Sequence, residues 1–241
     1  MIAFGFALSF KLQALFMLPV LFIAYFCQEK KFSVLWFGLI PAVWIASGIP
    51  MALVGQSPLY AVQVYFGQAE MYSKPTFNCP NVFALLGDAL SSRQMIQGMW
   101  QRYGVALAVF ALGGMATWFI SRHRRLSDRS LLLMSTWCVL VCIYFLPKMH
   151  ERYGMAGEVL LILWAVHLWK PRGFLYVILG TLPTVSAYCK YMFQNPIHSL
   201  QFGSVLNLIL LCLLTWELVQ AANADAPLPA EPLLETGDRE Q

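Results

Sequence analysis

The sequence predicts an all-α fold, a polytopic transmembrane helical bundle of about seven spanning helices with short interfacial helices in one external loop. Three observations point to it. Of 241 residues, 59% are hydrophobic and only 12% charged, about half the roughly 25% charge of a soluble domain. Mean hydropathy is +0.62. Eight Trp, ten Tyr and seventeen Phe suit a chain with aromatic rings at two membrane interfaces. A soluble fold of this composition would have too little polar surface to cover its core.

A spanning helix needs about 20 mostly apolar residues. The first candidate covers residues 2–27 and is interrupted by Lys11 and Gln13. It is either one helix with a polar notch or a short segment followed by a helix from Leu12. The second covers 32–54 and contains Pro41 and Pro50, tolerated in lipid where neighbouring helices satisfy the freed carbonyls. The others cover 103–120, 131–146, 155–169, 174–188 and 205–219. The last three are short, so their ends are expected to extend into flanking residues. The loop 55–102 is expected to hold interfacial helices, with one over 91–103. The transmembrane domain is placed at 1–220. The tail, 221–241, is rich in Pro, Ala, Asp and Glu and is expected to be a disordered cytoplasmic segment.

Charge sets the orientation. Lys30 with Lys31, then Arg122, Arg124 and Arg125, then Lys170 with Arg172 follow the first, third and fifth helices. Strict alternation puts all three on one side, and enrichment of Lys and Arg in cytoplasmic loops makes it the cytoplasm. The net charge of +4 is therefore read as loop bias and not as a nucleic-acid surface. The six cysteines show no metal-ligand spacing, and Cys138 and Cys142, one turn apart, sit among Val, Leu and Ile. No metal or cofactor is expected.

The opposite face receives the loops 55–102, 147–153 and 190–202. The densest charge there is Lys148-Met149-His150-Glu151-Arg152-Tyr153. Two bases, an imidazole and a carboxylate within five residues can bind a phosphate and manage a proton. The same residues also suit an interfacial salt-bridge cluster that anchors two helix ends. Lys11 is costly in an apolar run unless it is paired or snorkels; Gln13 is near it. In the external loop, Asn78-Cys79-Pro80-Asn81 reads as a turn before a short helix. Glu70 and Asp88 are the loop's carboxylates. His123, His167 and His198 read as interface or packing residues. Phosphate-binding glycine loops, nucleophile elbows and zinc motifs are absent.

These residues resemble a known family. Phe145-Leu146-Pro147-Lys148-Met149-His150-Glu151-Arg152-Tyr153 looks like the "LP-x-MHERY" signature of bacterial GT-C-fold glycosyltransferases. It is also similar to the His-x-His-Glu-Lys element of dolichyl-phosphate-glucose-dependent glucosyltransferases. Ser9-Phe10-Lys11-Leu12-Gln13-Ala14 followed by Leu18-Pro19 is similar to their "K-x-Q-A…LP" helix, and the stretch from Cys79 to Gly87 to their "APN-x-(Y/W)-ALLG" segment. The resemblance implies a plasma (inner) membrane transferase that takes a sugar from a polyprenyl-phosphate sugar and passes it to an acceptor on the extracytoplasmic face. Lys11, His150 and Arg152 would hold the lipid phosphate. Glu151 would orient His150 or contact the sugar, and Gln13 and Asn81 would line the cavity, with Lys148 and Tyr153 in support.

The family carries its acceptor-activating carboxylate in a first external loop that has no counterpart here. The chain is therefore expected to be the C-terminal portion of such an enzyme, to need an N-terminal half as partner, and to have no transferase activity alone. Two other functions fit the composition: a transporter or channel built on Lys11, Glu158 and Glu217, and a non-catalytic membrane partner that binds lipid phosphate.

Overall fold

A computed structural model describes residues 1–28, 32–71, 74–87, 94–122, 125–168 and 171–227. The described residues are mostly helical. Four stretches are long and apolar enough to cross a membrane: Val34–Leu53, Gly98–Ser121, Asp128–Phe145 and Leu200–Ala224. Every apolar segment read from the sequence falls on helix, but only these four meet the length and hydropathy of a span on their own.

The first segment breaks at its lysine. Helix α1 (Ile2–Phe10) ends where Lys11 takes an extended conformation, φ −155° and ψ 122°. A 3₁₀ turn, Leu12–Met17, follows, and α2 (Leu18–Phe26) starts with Pro19 in its first turn, where a missing N–H costs nothing. The second segment is broken too: a 3₁₀ turn (Val34–Gly38) leads into α3 (Leu39–Ala46), and Pro50 opens α4 (Ile49–Leu53).

The 55–102 stretch includes α5 (Tyr60–Met71), the two-residue strand β1 (Thr76–Phe77) and α6 (Val82–Leu86). The separate interfacial helix expected over 91–103 is not a separate element. Its described part is the start of α7 (Gln94–Ser121), 28 residues long. Gln97, Gln101 and Arg102 are good helix formers, and no proline interrupts the run, so polarity changed along the helix without breaking it.

The core is built by α8 (Asp128–Phe145), α9 (Met155–Leu168), α10 (Pro171–Phe193) and α11 (Leu200–Ala224) around Leu133, Trp137, Leu161, Trp164, Leu210 and Leu214. Helices α10 and α11 extend past 174–188 and 205–219 at both ends, as expected. Helix α8 is the hub: Leu133–Val139 and Val141–Tyr144 are all buried. Helix α11 runs through Ala224, Ala221 and Ala222 are 3% exposed, and Ala226 accepts a 2.8 Å bond from the Arg125 N–H. Ala221, Ala222 and Asp225 are buried, while Asn223, Ala224, Ala226 and Pro227 are exposed. Residues 228–241 lie outside the described residues.

Candidate functional site

The site is made where α8 stops. Leu146 leaves the helix in an extended conformation, and Lys148 follows Pro147 in the left-handed region, φ 62°. That reversal feeds strand β2 (Met149–His150), which pairs in parallel with β1: Thr76 opposite Met149 and Phe77 opposite His150. The Lys148 N–H donates to the Pro75 carbonyl over 2.7 Å, and Asn78 bridges to His150. Asn78 is also left-handed, φ 52°, a conformation Asn tolerates better than most residues. Two loops some 70 residues apart in sequence are thus stitched backbone to backbone.

His150 lies between two rings. Phe77 stacks on it with centroids 4.7 Å apart and planes 19° from parallel, and Tyr153 meets it edge-on at 5.2 Å. Burial and the Arg152 charge hold the imidazole below its usual range, with Glu151 opposing them. Beyond His150 the chain turns through a 3₁₀ helix, Glu151–Gly154, into α9. Glu151 is buried, Arg152 exposed, and the Arg152 guanidinium stands 6.0 Å from the Tyr153 ring centroid.

Asn81 stands at the N-terminus of α6. It is 0% exposed, and its side chain caps α6 by accepting from the Ala84 N–H at 3.3 Å. Its carbonyl accepts from the Ser204 hydroxyl, and Asn207 donates to the Pro80 carbonyl at 2.8 Å. Asn81 is a joint between the 74–87 segment and α11. Cys79, 2% exposed beside it, has its thiol pushed up by burial and by Glu151.

Lys11 is exposed at the break between α1 and the 3₁₀ turn, and Gln13 is partly buried. No described hydrogen bond or ion pair joins Lys11 to His150. The link is indirect: Phe16 and Met17, from the same 3₁₀ turn, pack with Cys79, Val139, Ile143, Met149 and Leu160. At about 2 Å rise per residue, Lys11 is roughly 10 Å along the chain axis from that cluster.

The other end of the bundle is basic. The Leu126 N–H reaches the Cys27 carbonyl at 3.4 Å. Glu217, 4% exposed on α11, meets Arg172 at 3.4 Å, Arg129 at 3.7 Å and the Tyr176 hydroxyl at 3.2 Å. Glu217 is therefore a neutralised carboxylate close to the basic end and not a free charge at mid-membrane. Lys30, Lys31, His123, Arg124, Lys170 and Asp88 lie outside the described residues, as does the side chain of Glu70. The His198 backbone is tied to α10: its N–H donates to the Ser186 hydroxyl at 3.0 Å and its carbonyl accepts from that hydroxyl at 3.1 Å.

Neither a protein-family model, nor a curated protein, nor a solved structure matches this chain. The site must be read from its own chemistry. Sequence reasoning missed Phe77, which meets His150 only through the fold. Among the described residues, no group of three or more His, Cys, Asp or Glu could hold a metal ion.

Proposed function

We propose that the chain is the donor-binding part of a GT-C-type membrane glycosyltransferase. It would hold a polyprenyl-phosphate sugar at the extracytoplasmic face of the plasma membrane, for transfer of the sugar to an acceptor on that side. In this reading all seven apolar segments cross the bilayer, with the Arg125, Arg129 and Arg172 end in the cytoplasm.

One observation supports it above the others. The Lys148–Tyr153 segment, the 74–81 segment and the start of α11 are bonded together at the end of the bundle opposite Arg129, Glu217 and Arg172. A lipid phosphate has its charge at the headgroup and its chain in hydrocarbon, so its site belongs at a helix end beside lipid-facing helices.

The residues divide the chemistry. Arg152 offers a planar fork to phosphate oxygens. Lys11, on its flexible stem, adds a point charge. As the glycosidic bond breaks, negative charge collects on the phosphate leaving group, and fixed cations stabilise that charge most where water is scarce. His150, its affinity for a proton lowered by burial and Arg152, gains a second donor once a bound anion raises that affinity. The acceptor-activating base is not assigned to a residue of this chain.

The test is binding of polyprenyl phosphate to the full chain in lipid nanodiscs. His150→Ala and Lys11→Ala should each weaken it; unchanged affinity in both removes the reading. A cysteine at Asn195, in a cysteine-free background, should react from outside the cell with a membrane-impermeant maleimide. Reaction only after permeabilisation would reverse the orientation.

A further inference from the structure

Tyr65 stands where three helices meet beside the break at Lys11. Helix α3 closes on α1 at Gly5, where a β-carbon would lie 2.7 Å from Val43 Cβ and 3.1 Å from the Ile40 carbonyl. The next residue of α3, Trp44, sets its ring 5.7 Å from the Tyr65 ring, with the planes at 54°. From that seat on α5 the Tyr65 hydroxyl donates to the Ser9 carbonyl over 3.1 Å. The Ser9 hydroxyl in turn donates to the Gly5 carbonyl at 2.8 Å.

Ser9 belongs to the last turn of α1, just before Lys11. In an unbroken helix its carbonyl would accept from the Gln13 N–H. Lys11 turns extended and interrupts that ladder, and the last carbonyls of a helix have no donor inside it. A carbonyl freed within lipid needs another donor from the protein. Tyr65 supplies one from 56 residues further along the chain.

The bond has a local consequence. It fixes the end of α1, and with it the backbone from which the Lys11 side chain starts. Lys11 is exposed and carries its charge on a flexible stem. Ordering such a group around an anion costs affinity, and a fixed root lowers that cost. We propose that Tyr65 is a positioning residue for Lys11: through the Ser9 carbonyl it holds the break in the shape that presents the ammonium group to a lipid phosphate. The proposal rests on the donor-binding reading above and extends it to α5. One stretch of chain then serves both halves of the phosphate site, because further along it Phe77 stacks on His150.

The experiment measures binding of bare polyprenyl phosphate to the full chain in nanodiscs, for wild type, Tyr65→Phe, Lys11→Ala and the double variant. Phenylalanine keeps the ring against Trp44 and removes only the hydroxyl. Tyr65→Phe should weaken binding about two- to tenfold, the scale of one net hydrogen bond. In the Lys11→Ala background the same change should cost nothing further, since the residue it positions is gone. Hydrogen–deuterium exchange without lipid should quicken in Tyr65→Phe at residues 11–14, by a factor of the same order, with the amides of α8 and α11 unchanged. An equal loss of affinity with and without Lys11 would make Tyr65 a packing residue and overturn the proposal. So would unchanged affinity in Tyr65→Phe where Lys11→Ala weakens binding, or unchanged exchange at the break. If wild type itself does not bind the lipid, the donor-binding reading fails, and the positioning role falls with it.

Discussion

Phe77 lies flat against the imidazole of His150, and the same two residues are paired across the β1–β2 ladder. Backbone and side chain therefore hold one histidine in one orientation. A stacked aromatic pair contributes about 0.5–1.5 kcal/mol. Phe77→Ala should weaken polyprenyl-phosphate binding by up to about tenfold, and Phe77→Tyr should keep most of it. Because Phe77 acts through His150, Phe77→Ala should also shift the pH profile of binding. A loss of affinity with an unmoved profile would make Phe77 a packing residue only.

The pH dependence has a definite sign. Burial and Arg152 lower the His150 pKa from its ordinary value of about 6.5. The folded chain then resists a proton that the unfolded chain accepts, so this group's stability contribution is complete above about pH 6.5 and falls away as pH drops towards the folded pKa. Thermal unfolding in detergent should show this slope in wild type and not in His150→Ala. Binding a phosphate reverses the preference, so affinity should rise as pH falls below 7 and binding should take up a proton. Calorimetry in buffers of different ionisation enthalpy measures that uptake; none detected would remove His150 from the phosphate.

Gly104 on α7 is where α6, α7 and α8 meet. A β-carbon there would strike the Phe145 carbonyl and would sit 2.5 Å from the Phe83 ring. The carbonyl is backbone and cannot rotate away, so Gly104→Ala should cost about 1–3 kcal/mol. Gly113 and Gly114 on the same helix face open space, and alanine there should be neutral or gain up to about 1 kcal/mol. Melting temperatures of the three variants in one detergent check the ordering.

The Glu217 network should be asymmetric. Its carboxylate side chain is 5% exposed, while the Arg129 and Arg172 side chains are 39% and 47% exposed. Removing Glu217 leaves two arginines that can turn to water or headgroups. Removing both arginines strands a buried charge. Arg129→Met with Arg172→Met should therefore destabilise the chain more than Glu217→Gln, by on the order of 3 kcal/mol as an upper range. Equal melting temperatures would show that the pairs contribute nothing.

The left-handed Lys148 offers a backbone test. Glycine there removes the steric cost of φ 62° and keeps the N–H bond to Pro75, so Lys148→Gly should be more stable than Lys148→Val. Lys148→Val places a branched side chain where it is least tolerated and should lower the melting temperature by several degrees, roughly 1–3 kcal/mol.

The sequence shows the helices through their apolar runs because lipid and core make the same demand on them. The break at Lys11 was visible as a polar notch, but hydropathy does not distinguish a notched helix from two pieces; the backbone at Lys11 does. The start of α7 misled for the opposite reason, since Gln and Arg change a helix's surface without ending it. Strand β2 left no trace. A two-residue pairing needs no periodicity, and its partner Phe77 sits in a loop with no pattern of its own. Glu217 looked unpaired because its arginines arrive from α8 and α10. The signature from Pro147 to Tyr153 was legible as chemistry, while the neighbours that orient it were not.

The joining of Pro75–Asn78 to Lys148–His150 also sets an order of assembly. The first segment must leave the translocon and wait while α7 and α8 are made and inserted, because its partner strand is not yet synthesised. A chain halted after α7 would expose that segment's unmatched amides and carbonyls at the membrane surface. The joint around His150 can therefore form only once α8 and strand β2 have been made.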